Sequence, residues 1–137
     1  MRLDRKRLVF DTSALIPVCL YPERETAQAF KNILLDHDVF CSTYCWQELH
    51  AVISRPKFDA WQPFAQRLAW VNLFRHAVIF VEPSEPITDC RDPKDNPFLE
   101  LAVAAKADFL ISSDVHLLEM HPYRNIQILN WQAFKTL

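Results

Sequence analysis

Four carboxylates in this sequence stand where a hydrolytic site could use them: Asp11 after Leu8-Val9-Phe10, Glu48 in Trp46-Gln47-Glu48-Leu49, Asp95 in Asp92-Pro93-Lys94-Asp95, and Asp114 after Phe109-Leu110-Ile111-Ser112-Ser113. Converging carboxylates repel, so one takes up a proton unless a cation neutralises the group. An oxygen-only donor set selects a hard cation such as Mg2+ or Mn2+. Such a centre suits phosphodiester hydrolysis, because the metal acidifies a water and steadies the leaving oxygen. No Ser-His-Asp or Cys-His arrangement carries a recognisable local signature. The plainer reading is that Asp11, Asp95 and Asp114 cap helices, which alone would account for any one of them. Glu48 alone reads as a solvated helix face or an ion-pair partner. The case for a site is that three Asp fall at comparable strand–helix junctions. Asp89, Asp92, Asp108 and Glu100 read as ordinary surface acids, with Asp92 the natural substitute for Asp95.

These junctions come from the pattern of elements. The apolar run 8–10 reads as a strand ending at Asp11, followed by a helix over 14–20 that Pro17 should distort. A second helix is expected over 22–35 and a strand over 39–41. Ser42 or Thr43 should cap a helix over 44–54, stopped before Pro56, with Glu48 at the border of its apolar stripe. A helix over 63–75 should bury Phe64, Leu68 and Val71. Trp61, Trp70 and Phe74 read as core or interface rather than as a base-stacking platform. The run 77–81 reads as a third strand. Asp92-Pro93 starts a turn; Asp95 or Asn96 should cap the next helix, with Pro97 in its first turn. Ala102 and Ala105 let that helix lie close to a sheet. Phe109-Leu110-Ile111 does not alternate, so both its faces should be buried. A helical piece at 116–120, a strand at 126–129 and a helix from Trp131 complete the chain. Strands alternate with helices throughout, which argues an α/β layer fold with a largely parallel sheet. In open parallel sheets, ligands bind outside the carboxyl ends of the strands, where Asp11 and Asp114 fall.

Composition narrows the choices. At 137 residues and 50% hydrophobic, the whole chain, 1–137, suits one domain with one core. A net charge of −2 offers no global positive field for nucleic acid, although an acidic metal site is counted there without its cations. Positive groups that could meet phosphates are Arg55, Lys57, Arg91 and Lys94, which border the acidic motifs; solubility is their plainer role. Glycine is absent, which excludes nucleotide folds built on Gly-rich phosphate loops and leaves turns of positive φ to Asn, Asp or His. Cys19, Cys41, Cys45 and Cys90 read as reduced thiols in a cytoplasmic protein; a zinc site from Cys41, Cys45 and a His would need an unusual spacing. The basic start (Arg2, Arg5, Lys6, Arg7) leads into a strand rather than a signal-peptide core, and no apolar run is long enough to span a membrane.

With these residues placed, the sequence resembles the PIN-domain family, in particular the VapC-like toxins of bacterial toxin–antitoxin pairs. The markers are Val9-Phe10-Asp11-Thr12-Ser13, Glu48 in its helix, Asp92-Pro93-Lys94-Asp95-Asn96 leading into Phe98-Leu99-Glu100-Leu101-Ala102, and Ala107-Asp108-Phe109-Leu110-Ile111-Ser112-Ser113-Asp114. The resemblance implies a three-layer α/β/α fold and a Mg2+- or Mn2+-dependent endoribonuclease acting on RNA. Its four acids map onto Asp11, Glu48, Asp95 and Asp114, with Ser13 and Ser112 as supporting groups. It also implies a small antitoxin partner and homodimerisation. Two positions depart from the pattern: relatives commonly carry Gly where this chain has Lys106 and Ser113, and a side chain at 113 is expected to crowd the pocket. The competing reading is the same fold with a weak or dead site, a binding module working through a protein partner.

Overall fold

The computed structural model describes residues 4–137; Arg2 lies outside them. In chain order the elements are β1 (Arg7–Phe10), α1 (Thr12–Leu20), α2 (Glu25–Asp36), β2 (Asp38–Cys41), α3 (Thr43–Ile53), a 3-10 turn (Pro56–Ala60), α4 (Phe64–Ala77), β3 (Ile79–Phe80), a second 3-10 turn (Pro93–Asp95), α5 (Asn96–Ala104), β4 (Phe109–Ile111), α6 (Val115–Leu118), β5 (Gln127–Leu129) and α7 (Trp131–Lys135). The strands form one five-stranded sheet in the order β3-β2-β1-β4-β5. Every pairing in it is parallel. Helices flank the sheet in a three-layer α/β/α arrangement.

The sheet is held from within. Leu8, Val9, Leu110 and Ile111 on the two central strands are fully buried, as expected for strands covered on both faces. Ala102 and Ala105 are buried too, which lets α5 approach β1 closely. The order places β2 and β3 on one side of β1 and β4 and β5 on the other. The strand order therefore reverses between β1 and β4, and the crevice for a ligand opens outside their carboxyl ends.

Several local expectations change. α1 starts at Thr12 rather than at residue 14 and runs to Leu20 with Pro17 as its sixth residue, where the missing N–H leaves Ser13 O without an i→i−4 bond. β3 shrinks to Ile79–Phe80 because α4 extends to Ala77, and both of its residues are exposed at the sheet edge. On α4 the buried stripe is Arg67, Val71 and Phe74, while Phe64 is 49% exposed and Leu68 half-buried. Trp70 stacks on Phe74 in the core, but Trp61 is 54% exposed. The four cysteines are free and buried. Burial pushes the thiols of Cys41 and Cys45 up to about 12, so they are packing groups with little thiolate character.

Positive φ is carried by Lys106, Arg124 and Asn125, not mainly by Asn or Asp. Lys106 closes α5: its N–H donates to Val103 O at 3.1 Å, and that of Ala107 to Ala102 O at 2.9 Å. This is the pair of bonds that ends a helix through one left-handed residue, the place a glycine usually takes.

Candidate active site

The cleft lies at the strand-order reversal and is built outward from Asp11. The Asp11 N–H donates to Ile111 O at 3.0 Å, which continues the β1–β4 ladder by one residue and fixes the carboxylate over the sheet edge. That carboxylate is buried and accepts from Ala14 N at 3.0 Å, from the Ser13 hydroxyl at 2.7 Å and from the Ser112 hydroxyl at 2.5 Å. Burial raises its pKa from 3.8 to about 6, although these three bonds pull the other way.

β4 delivers the opposite wall. Asp114 caps α6, accepting from His116 N at 2.8 Å, and its own N–H donates to Ser112 Oγ at 2.9 Å. The Asp92-Pro93 turn supplies the third side. Asp92 accepts from Lys94 N at 3.1 Å and starts the 3-10 turn that carries Asp95 inward. Asp95 occupies the position before α5 yet makes no side-chain capping bond. Its Oδ2 is buried with no hydrogen-bond partner among the described residues. Burial first, and then the charge of Asp114, raises Asp95 from 3.8 to about 7. One carboxylate oxygen from each of Asp92, Asp95 and Asp114 lies within 4.8 Å of the others.

Glu48 reaches the same cleft from α3 and accepts the hydroxyl proton of Thr12. Arg55 and Lys94 line it as well, while Ile16, Val52 and Phe98 make its apolar wall. Capping thus accounts for one job of Asp11 and of Asp114, but for none at Asp95.

The structure brings Asp11, Ser13, Glu48, Asp95 and Asp114 to one cleft of about 280 Å³, with Ser112 directly behind Asp11. Lys57 and Arg91 are not in its lining; Lys57 lies over the ring of Phe58, and Arg91 pairs with Glu119 at 3.3 Å. Asp92, read as an ordinary surface acid or a substitute, stands beside Asp95 and adds to it. Thr12 stands in the sequence only as part of the Val9–Ser13 marker, with no role at the site expected of it. Ser113 points away: it is exposed and absent from the lining, and its N–H donates to Ser13 Oγ at 3.1 Å. It braces the pocket without crowding it.

A family model described as PIN domain matches residues 7–116. The chain belongs to the PIN-domain family. PIN domains are generally nucleases, and the acidic cleft sits within the matched span. The fold is similar to that of a chain of VapBC2 from Rickettsia felis, solved bound to a DNA fragment from its promoter, with a TM-score of 0.62 at 13% identity over 91% of this chain and 98% of that one. A chain of VapBC-1 from nontypeable Haemophilus influenzae gives 0.59 at 17% identity over 92% and 98%. PAE2754 from Pyrobaculum aerophilum gives 0.54 at 14% identity over 96% and 88%. No curated protein matches the sequence significantly. No helix of this PIN domain among the described residues is long and apolar enough to cross a membrane.

Proposed function

We propose that this PIN domain is a Mg2+- or Mn2+-dependent endoribonuclease, the toxin of a toxin–antitoxin pair, held in check by a small protein partner. The observation that carries the reading is the unpartnered, buried Oδ2 of Asp95 beside the carboxylates of Asp92 and Asp114. A buried polar atom without a partner is costly, and an oxygen cluster of this charge is relieved by a hard divalent cation. Asp95 and Asp114, with Asp92, would hold the ion, and Asp11 and Glu48 would complete its surroundings directly or through water. When bound, the metal supplies an acidified water and charge to offset the phosphate.

The remaining work falls to the chain itself. Ser13 and Ser112 fix the Asp11 carboxylate by two hydroxyl bonds. Glu48, steadied by Thr12, would orient the attacking water. Arg55 and Lys94 would bind the phosphates on either side of the scissile bond. Ile16, Val52 and Phe98 exclude water from one side of the cleft. The fold likeness to chains of two VapBC assemblies supports the antitoxin partner and is compatible with a homodimer.

A second reading, a binding module with a weak site, is favoured by one observation: Asp11 and Asp114 already serve as helix caps. The deciding experiment is cleavage of a labelled single-stranded RNA by pure protein with Mn2+, with EDTA, and by Asp114→Asn. Cleavage that needs metal and disappears in the variant supports the nuclease and its site together. Metal-independent cleavage, or cleavage retained by the variant, defeats the site assignment. A protein that neither cuts RNA nor gains thermal stability with Mn2+ is the module.

A further inference from the structure

The segment that follows Arg55 is pinned far more firmly than a connecting turn requires. Arg67 of α4 is completely buried, and its guanidinium is spent on this segment. Its Nη1 donates to Ile53 O at 3.1 Å and to Arg55 O at 3.2 Å, and its Nη2 pairs with Asp59. From the other end, Gln62 Nε2 donates to Cys19 O at 3.3 Å on α1. Burying an arginine is unfavourable unless its donors are satisfied. Here Nη1 and Nη2 hold a turn of only a few residues, while Nε is buried without a partner among the described residues.

The pinned turn carries Phe58 and the half-exposed Trp61 at its end, with ring centroids 6.2 Å apart. Together with Ile16, Pro17, Leu20 and Tyr21 they line an apolar notch of about 230 Å³. Ile16 lines both this notch and the acidic cleft, so the two are neighbours. Cations stand on two of its aromatic rings and in the neighbouring cleft. Arg55 lies on the cleft side, Lys57 over Phe58, and Arg24 over the Tyr21 ring at 3.9 Å from its centroid. The one acid of the segment, Asp59, is tied to Arg67. Flat aromatic surface beside a charged cleft, with cations close by, is the chemistry that receives a base while its phosphates are held next to it.

We propose that this notch is a nucleobase subsite: a base adjoining the scissile phosphate of single-stranded RNA stacks on Trp61, and the Arg67 clamp positions that ring. The inference rests on the reading of the cleft as a ribonuclease site. Stacking on one aromatic side chain is worth about tenfold in affinity and tolerates any base.

The test compares Trp61→Phe, which keeps an aromatic face, with Trp61→Leu, which fills the notch without one. The probes are a labelled single-stranded RNA and a strand of the same length with abasic residues, with binding measured in EDTA and cleavage in Mn2+. Wild type and Trp61→Phe should prefer the base-bearing strand about tenfold, and Trp61→Leu should lose that preference and raise KM with kcat held. A Trp61→Leu protein with unchanged preference and KM, while wild type cuts RNA, overturns the subsite and leaves the nuclease standing. Wild type that neither binds nor cuts RNA overturns both. Unchanged RNA binding together with loss of a co-purifying small protein from Trp61→Leu would assign the notch to a polypeptide and overturn the subsite.

Discussion

The hydroxyl of Ser112 lies 2.5 Å from Oδ2 of Asp11, and its oxygen accepts the backbone N–H of Asp114 at 2.9 Å. One side chain therefore ties the acid at the end of β1 to the acid that follows β4. Its role is geometric: it sets the spacing of two carboxylates that arrive on different strands. Ser112→Ala should cost about 1.5–3 kcal/mol of stability, the range for a hydrogen bond to an ionised group, and should weaken Mn2+ binding. Urea unfolding with and without Mn2+ measures both, and a variant unchanged in both would show that the bridge is incidental.

Acidity offers a second check. Asp11 and Asp95 titrate near 3.8 when unfolded, and near 6 and 7 when folded. Between those values the folded state binds more protons than the unfolded one. Their contribution to stability is therefore complete below about pH 4 and is lost as pH rises through 6 and 7. A divalent cation favours the deprotonated carboxylates, so Mn2+ should restore the stability lost at higher pH. Melting curves should show almost no Mn2+ effect near pH 5 and a clear rise near pH 8. A metal effect independent of pH would place the ion elsewhere.

Asp95→Asn separates stability from function. Its Oδ2 has no partner among the described residues and faces the charges of Asp114, Asp92 and Asp11. An amide removes that repulsion and can donate to a neighbouring carboxylate. The metal-free variant should melt higher than wild type, as expected where an active site is held under strain for activity. Its Mn2+-induced shift should disappear, and cleavage should fall by more than the roughly 100-fold typical of an outer-shell residue. A lower melting point without metal would mean that Asp95 stabilises the fold in some other way.

Much of this site could be read in advance because its acids are attached to strong local signals. β1 and β4 are short apolar runs without alternation, and each ends where a polar residue takes over, so Asp11 and Asp114 were placed at the sheet edge. Asp92 was harder to read, because an Asp before Pro is already explained by its turn. Its side chain does serve that turn, and only the tight 3-10 geometry returns it to Asp95. α4 misled for a different reason. The sequence suggests an apolar stripe from Phe64, yet the first buried position is Arg67, whose partners are two backbone carbonyls, which leave no trace in the sequence, and Asp59. Hydropathy cannot find a charge whose burial is compensated by the main chain. The sequence predicts a third strand over 77–81 because Ala77 and Val78 are apolar in either state; α4 claims the first, and the second ends it.

Lys106 gives a prediction outside the cleft. It stands at the left-handed turn after α5, with φ of 51°, where its Cβ crowds the following carbonyl. That strain is on the order of 1–2 kcal/mol for a residue other than glycine. Glycine relieves it but loses more chain entropy on folding, on the order of 0.5–1 kcal/mol. Lys106→Gly should therefore stabilise the protein by about 0.5–1 kcal/mol, read as a higher urea midpoint with an unchanged slope. The Lys106 turn joins α5 to β4 at the end of the strand opposite Asp114, so metal binding and cleavage should stay as in wild type. A destabilised Lys106→Gly would mean that the lysine side chain makes a contact worth more than the strain it causes.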